Sequence, residues 1–573
     1  MAVRRKVKFC LLVAVALVAA LLWIGEESGP VIEDDTTLVL EIGGNYVEAA
    51  RASWISRLLG EPSPPFVDLL SVFALAERDS RLATVFIVVR PLAIGWGKVG
   101  ELRQAIERLN ETGLRTVAYL DMAAFSGSRE YLLATAAQEI WVVPGGAVPV
   151  LGLAAEYFYL GGLWEKLGVE IDVAKAGRYK SAVEMFTGTG MSDASREMAN
   201  SLLDSTNDFF IYGIAEGRGM SPAQVRAAID TGPILPAELE GLGLIDGSMH
   251  YDRLLDKLGG SVVEHAEYAA IDPAQVGFDP VARVALIYGT GPVVDGWGSR
   301  SPSGEPVFAA RRVAEALAQA ADDPDIDALI LRIDSPGGSA LAAEEIWRSI
   351  GRVSEQGKPI IASFSDVAAS GGYYVAVAAD EIVANDATLT GSIGVFALRP
   401  AVAGALDKMG VTSEVLTRGR YADFVLSARP LSPGALDRMQ AMVLQIYELF
   451  VQRVAEGRGM PAGEVDSVGQ GRVWTGSQAY EIGLVDHLGG LHTAVGRVRD
   501  HLDLEAGADV ALVVLPAPRT LGEEFAEALN ARLTSFVQAR WPMQRALGGV
   551  YSWLAHLQLG TPLVVPPYMV EIR

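Results

Sequence analysis

Short runs of apolar, β-branched-rich residues recur along the chain, and between them lie longer stretches in which apolar positions return every three or four residues. Val284–Tyr288, Ala328–Ile333, Pro359–Phe364 and Glu381–Ala384 are runs of the first kind, and Val307–Ala321 and Ala340–Gln356 are stretches of the second. A short continuous apolar run suits a strand covered on both faces, whereas a 3.6-residue period suits an amphipathic helix. Their alternation predicts βαβ units, an α/β fold and a mostly parallel sheet. The first half of the chain follows the same plan through Leu38–Ile42, Val85–Val89 and Val117–Leu120. One apolar run differs: Phe9–Ile24 carries no charge and follows Arg4, Arg5, Lys6 and Lys8. It falls slightly short of the ~20 residues that span hydrocarbon, and snorkelling Lys8 and interfacial Trp23 extend its reach. Residues 1–30 are therefore expected to be a transmembrane anchor with the basic flank in the cytoplasm and the body outside. A cleavable signal peptide is the competing reading.

The pattern is also repeated in its letters. Gly168–Tyr179 (GVEIDVAKAGRY) and Gly410–Tyr421 (GVTSEVLTRGRY), offset by 242 residues, agree at six of twelve positions. Gln138-Glu139-Ile140 falls on Asp380-Glu381-Ile382, Gly217–Met220 on Gly457–Met460, and Gly243–Asp246 on Gly483–Asp486, at offsets of 240 or 242. Such self-similarity marks a tandem duplication. Copy one is expected over residues 36–275 and copy two over 283–505. An unduplicated tail, 506–573, is expected to be helical, with an amphipathic helix at Leu521–Ala539 and with Tyr551, Trp553 and Leu554 carried in Leu547–Leu559.

Composition narrows the chemistry. The 573 residues exceed one domain, and 50% hydrophobic with 20% charged residues is the balance of a folded chain. A formal net charge of −23 argues against nucleic acid as a partner, because no basic stripe is available to displace counterions from phosphates. One cysteine, Cys10, excludes an intramolecular disulfide framework, and six scattered histidines show no metal-binding spacing, so neither a metal nor another cofactor is expected.

Candidate chemistry sits where the copies differ. Copy two has Asp334-Ser-Pro-Gly-Gly-Ser339 between a strand and a helix, where copy one has Arg90-Pro-Leu-Ala-Ile-Gly95. Exposed backbone N–H groups around Gly337 and Gly338 suit an oxyanion. Ala368-Ala-Ser-Gly-Gly-Tyr-Tyr374 presents Ser370 between small residues, with the Gly371 N–H as a further donor. Its counterpart, Ser126-Gly-Ser-Arg-Glu-Tyr131, keeps Ser128 but replaces the glycines by Arg129 and Glu130. A serine needs a base, and no histidine lies near either motif. Lys180, in Gly177-Arg-Tyr-Lys-Ser181, falls on Ala422 of copy two. Copy one thus retains a lysine and has lost the glycines, and copy two the reverse, which predicts a site assembled across an interface between the copies. Ser392, in Leu389-Thr-Gly-Ser-Ile-Gly394, has Val150 as its counterpart and reads either as a second hydroxyl of the site or as a turn serine.

These four motifs, in this order, resemble the signal peptide peptidase A family in its long, duplicated form, over residues 1 to about 505. The resemblance implies Ser370 as nucleophile, Lys180 as general base, Ser392 as the hydroxyl partner of the lysine, and backbone donors at Gly337, Gly338 and Gly371. It further implies two Clp/crotonase-like domains, a homotetramer on the outer face of the bacterial cytoplasmic membrane, and cleavage of remnant signal peptides. Two other classes compete: a crotonase-like acyl-CoA enzyme, and a non-catalytic membrane scaffold.

Overall fold

The computed structural model describes residues 30–48, 63–124, 127–298, 306–426, 428–516 and 563–564. Two sheets dominate it, and they have the same strand order. In the first, Gly247–Ser248, Glu139–Val142, Arg115–Leu120, Leu82–Leu92, Thr36–Gly44 and Ser261–Glu264 lie side by side in parallel. In the second, the corresponding places are taken by His487–Leu488, Glu381–Ala384, Ile360–Ala369, Ala328–Ser335, Ala282–Thr290 and Val510–Leu515, again in parallel. The strands expected from apolar runs are present in both copies, as are helices at Ala310–Asp322 and Ala340–Ser354. Each copy forms most of one core: one apolar cluster runs from Ile32 to Ile271 and takes in Ala387 of copy two, and another holds most of the buried residues from Ala285 to Leu515.

Three expectations change. The run predicted to end at Phe364 continues as strand to Ala369, because its distal end is paired by Leu389–Gly391, which in turn carries Val473–Thr475 antiparallel. Val510–Leu515, beyond the expected boundary at 505, pairs with Ala282–Ile287 and so belongs to the second sheet, in the place Ser261–Glu264 holds in the first. The tail is not wholly helical either, since Leu563–Val564 is a strand. The expected anchor at 1–30, apart from Pro30 itself, and the tail segments Leu521–Ala539 and Leu547–Leu559 lie outside the described residues. Among the described residues, no helix is long and apolar enough to cross a membrane.

The repeated motifs are explained by what they brace. The 26-residue helices Asp193–Arg218 and Pro433–Arg458 begin at serine caps, Ser192 and Ser432, and end at left-handed Gly219 and Gly459. Arg218 donates to the Gly243 carbonyl at 3.1 Å and to Asp246 at 2.9 Å, and Arg458 repeats this with Gly483 at 3.1 Å and Asp486 at 2.6 Å. Each aspartate also accepts from a strand amide, Ile140 or Ile382. The fork of an arginine on a carboxylate ties helix, loop and sheet together in both copies.

The copies meet through backbone and buried charge. Glu170–Ala176 of copy one pairs antiparallel with Val395–Ala401 of copy two in a third sheet, and Ala174 and Ala176 bury themselves in the copy-two core. Nearby, the copy-one helix Trp96–Glu111 lies so close over Ile360–Ala369 that a Cβ at Gly97 would stand 2.5 Å from the Ser365 carbonyl oxygen. Arg332 of copy two, 1% exposed, is held by Glu48 at 2.8 Å and Glu101 at 2.6 Å from copy one. An unpaired buried guanidinium would cost several kcal/mol, roughly 3–5, so the two copies are one folding unit at this face.

Candidate active site

Ser370 stands where the strand Ile360–Ala369 turns into the short helix Gly371–Ala376, with φ 55° and ψ −113°. A non-glycine residue held there carries strain of about 1–3 kcal/mol, which the surrounding structure must impose. The imposing contacts are local: Ala369 is in register with Gly391, and the Ser370 amide donates to the Gly391 carbonyl at 2.8 Å. Ser392 follows Gly391 with φ 53°, its own amide donating to the Arg472 carbonyl at 2.7 Å. Adjacent parallel strands therefore release two serines side by side, both completely buried.

Lys180 arrives from the other copy. The strand Glu170–Ala176 delivers the chain to Gly177, and three residues later the lysine side chain lies fully buried between the two serines. Its Nζ is 2.7 Å from Ser370 Oγ, 2.9 Å from Ser392 Oγ and 3.0 Å from the Ser392 carbonyl oxygen. Burial pushes its pKa well below the ordinary lysine value, favouring the neutral amine. A neutral amine has two N–H bonds and one lone pair. If the two Ser392 oxygens take both N–H bonds of the neutral form, its lone pair faces the Ser370 hydroxyl. Lys180 and Ser370 meet within one chain.

Sequence reasoning missed what holds the lysine loop. Gln470 of copy two accepts from the Tyr179 amide through its carbonyl at 2.7 Å and from the Arg178 amide through Oε1 at 3.2 Å. Gly471, at φ 79°, leaves room for the lysine backbone: a Cβ there would lie 2.5 Å from Lys180 N. Neither residue sits in a motif, and nothing in the one-dimensional pattern marks them.

The glycine loop is less simple than expected. The Gly337 amide already donates to Ser335 Oγ at 3.2 Å, whereas Gly371 is the first residue of a helix and has no intrahelical acceptor for its N–H. Gly338 lies in a short strand, Gly338–Ser339, that pairs antiparallel with Leu563–Val564 from the C-terminal region, and Leu563 also pairs with Phe396. A slot one strand wide thus exists between Gly338–Ser339 and Val395–Ala401.

The copy-one counterpart is closed by its own side chains. Ser128 is buried, its hydroxyl donating to the Gly152 carbonyl at 3.3 Å. Glu130, in the place of Gly372, accepts from the Leu92 amide at 2.7 Å within the loop that replaces the glycine motif. Burial raises the Glu130 carboxyl above the usual range. Among the described residues, no group of His, Cys, Asp and Glu is arranged to hold a metal ion.

The model of a peptidase family matches residues 108–262 and 352–505, one stretch in each copy. The chain belongs to peptidase family S49. Among curated relatives, "Serine protease SPPA, chloroplastic" of Arabidopsis thaliana is 34% identical over 460 residues, 78% of this chain and 67% of that protein. "Protease 4" of Salmonella typhi is 31% identical over 396 residues, covering 65% of this chain and 62% of that one. Among solved structures, a ClpP1 mutant from Listeria monocytogenes aligns with a TM-score of 0.24 at 12% identity, over 37% of this chain and 94% of that one.

Proposed function

We propose that this S49 chain is a membrane-anchored serine endopeptidase with a Ser370–Lys180 dyad, acting on remnant signal peptides and other apolar, extended peptides. The observation that carries the reading is the 2.7 Å approach of a fully buried lysine amine, whose pKa burial lowers, to the Ser370 hydroxyl. Ser370 Oγ attacks the peptide carbonyl carbon while its proton passes to Lys180 Nζ. The ammonium then gives that proton to the leaving amine as the C–N bond breaks, and the acyl group remains on Ser370. Water, deprotonated by the same amine, hydrolyses the ester and frees the serine. Ser392 orients the amine, and the Gly371 N–H stabilises the oxyanion; the expected donor at Gly337 joins it only by giving up its bond to Ser335 Oγ.

Main-chain pairing in the slot beside Gly338 and Phe396 would bind an extended segment and read its side chains loosely. The anchor rests on the uncharged run Phe9–Ile24, which would set the body on the outer face of the cytoplasmic membrane. A homotetramer is supported by exposed Phe158 and Leu416, at 69% and 91%, in the two segments equivalent to the strands that join the copies within one chain. Labelling with a fluorophosphonate probe, followed by peptide mapping, tests the dyad. Modification of Ser370 that vanishes in Lys180→Ala is expected. Labelling of Ser128, or an unaffected Lys180→Ala, would overturn it.

A further inference from the structure

A second lysine from copy one reaches the copy-two site, at a place the dyad chemistry does not use. Lys98, in the first turn of Trp96–Glu111, is 3% exposed, and its Nζ lies 2.6 Å from Asp334 Oδ2 and 2.8 Å from Asp366 Oδ2. Asp334 is where the strand Ala328–Ser335 gives way to the glycine loop, and its other oxygen accepts from the Val367 amide at 3.2 Å. Asp366 lies four residues before Ser370 and accepts from the amides of Gly95 at 3.0 Å and Lys98 at 2.8 Å, capping the copy-one helix from the other copy.

The placement coincides with a break in the sheet. Ala328–Ser335 and Ile360–Ala369 pair regularly up to Ile333 with Phe364, then slip so that Ser335 faces Ala368. The regular ladder is interrupted just where the loop carrying Gly337 and Gly338 and the strand carrying Ser370 need a fixed separation. One ammonium bonded to a carboxylate on each strand spans that gap. The cluster is also confined to the copy with the intact serine motif: in copy one the places of Asp334 and Asp366 are taken by Arg90 and Ala124, and in copy two the place of Lys98 is taken by Ala342.

We infer that Lys98 is a positioning residue for the reaction at Ser370, clamping the oxyanion loop to the nucleophile strand across the interrupted ladder. Stability alone is a poor reason for the arrangement, because a buried ion cluster seldom outperforms apolar side chains of equal volume. Burial opposes the Lys98 charge, but Asp334, Asp366 and Glu48 outweigh it and hold the ammonium well above the ordinary lysine range, so it stays charged. Copy one would then supply both the base and the brace.

The inference rests on the Ser370–Lys180 reading, and the test separates the two. In full-length Lys98→Met/Asp366→Asn one positive and one negative charge are removed together, and the asparagine keeps an acceptor for the residue-98 amide. This variant is expected to fold with the parent pH midpoint and a Tm lowered by the unpaired Asp334, while kcat on an apolar peptide and the rate of fluorophosphonate labelling, read well below that Tm, fall about 10²-fold with KM little changed. Parent kcat in the folded variant would overturn the inference. So would a displaced pH midpoint, which would make Lys98 a tuner of Lys180 instead. Lys180→Ala in the same assay reports on the dyad alone: if it remains active the dyad reading fails, whatever Lys98 does.

Discussion

At Lys180 two demands on one side chain conflict, and the outcome sets the pH behaviour. Folding buries the amine completely and lowers its pKa, whereas in the unfolded chain it titrates near its ordinary value of 10.5. Between those two values the unfolded state binds the extra proton, so this group's contribution to stability grows as pH rises through the window. Activity should rise in the same direction if Lys180 is the base of the proposed dyad, because only a neutral amine can accept the Ser370 proton. A pH–rate profile of kcat/KM is expected to climb through a single ionisation below 10.5. In Lys180→Ala that step should be lost and kcat reduced by about 10⁴-fold or more. Ser370→Ala should match this loss. Ser128→Ala should leave turnover within about twofold, since that hydroxyl only bonds the Gly152 carbonyl beside a loop filled by Glu130.

Elements turn these residues into a site, and here the sequence is legible to different depths. The strands and helices were readable because each spans several apolar positions in a fixed period, and the duplication showed that the lysine and the glycine motif decay in complementary copies. The third sheet was not readable, since Glu170–Ala176 looks the same whether it pairs within its own copy or with Val395–Ala401 of the other. Contacts made by a single backbone atom leave no pattern at all, and the Gln470–Gly471 clasp is made of these. Gly471→Ala tests that clasp. A Cβ must intrude on the Lys180 backbone at a φ of 79°, so the lysine loop should shift. The expected cost is about 1–3 kcal/mol in stability, read as a lower Tm, with a fall in kcat larger than Tm alone explains. An unchanged kcat would show that the loop is held by the Glu170–Ala176 strand alone.

On the scale of the whole molecule, the chain keeps an extended segment of its own where a substrate is proposed to bind. Leu563 is in register with Ser339 and Phe396, and Val564 with Gly338, so this pair completes the sheet between the glycine motif and the strand that leads back to Gly394 and Ser392. An incoming peptide that uses the same main-chain groups must displace it, and the apparent affinity for substrate is lowered by the strength of that self-pairing. Proline at 563 or 564 removes an N–H and fixes φ, which weakens the pairing without touching Ser370 or Lys180. With net main-chain hydrogen bonds at about 0.5–1.5 kcal/mol each, Leu563→Pro and Val564→Pro should lower KM for an apolar extended peptide by roughly 2- to 10-fold at constant kcat. Steady-state kinetics with a synthetic signal-peptide segment in detergent measures this directly. A rise in KM would mean instead that Leu563–Val564 forms one wall of the slot, and that substrate adds to its far side.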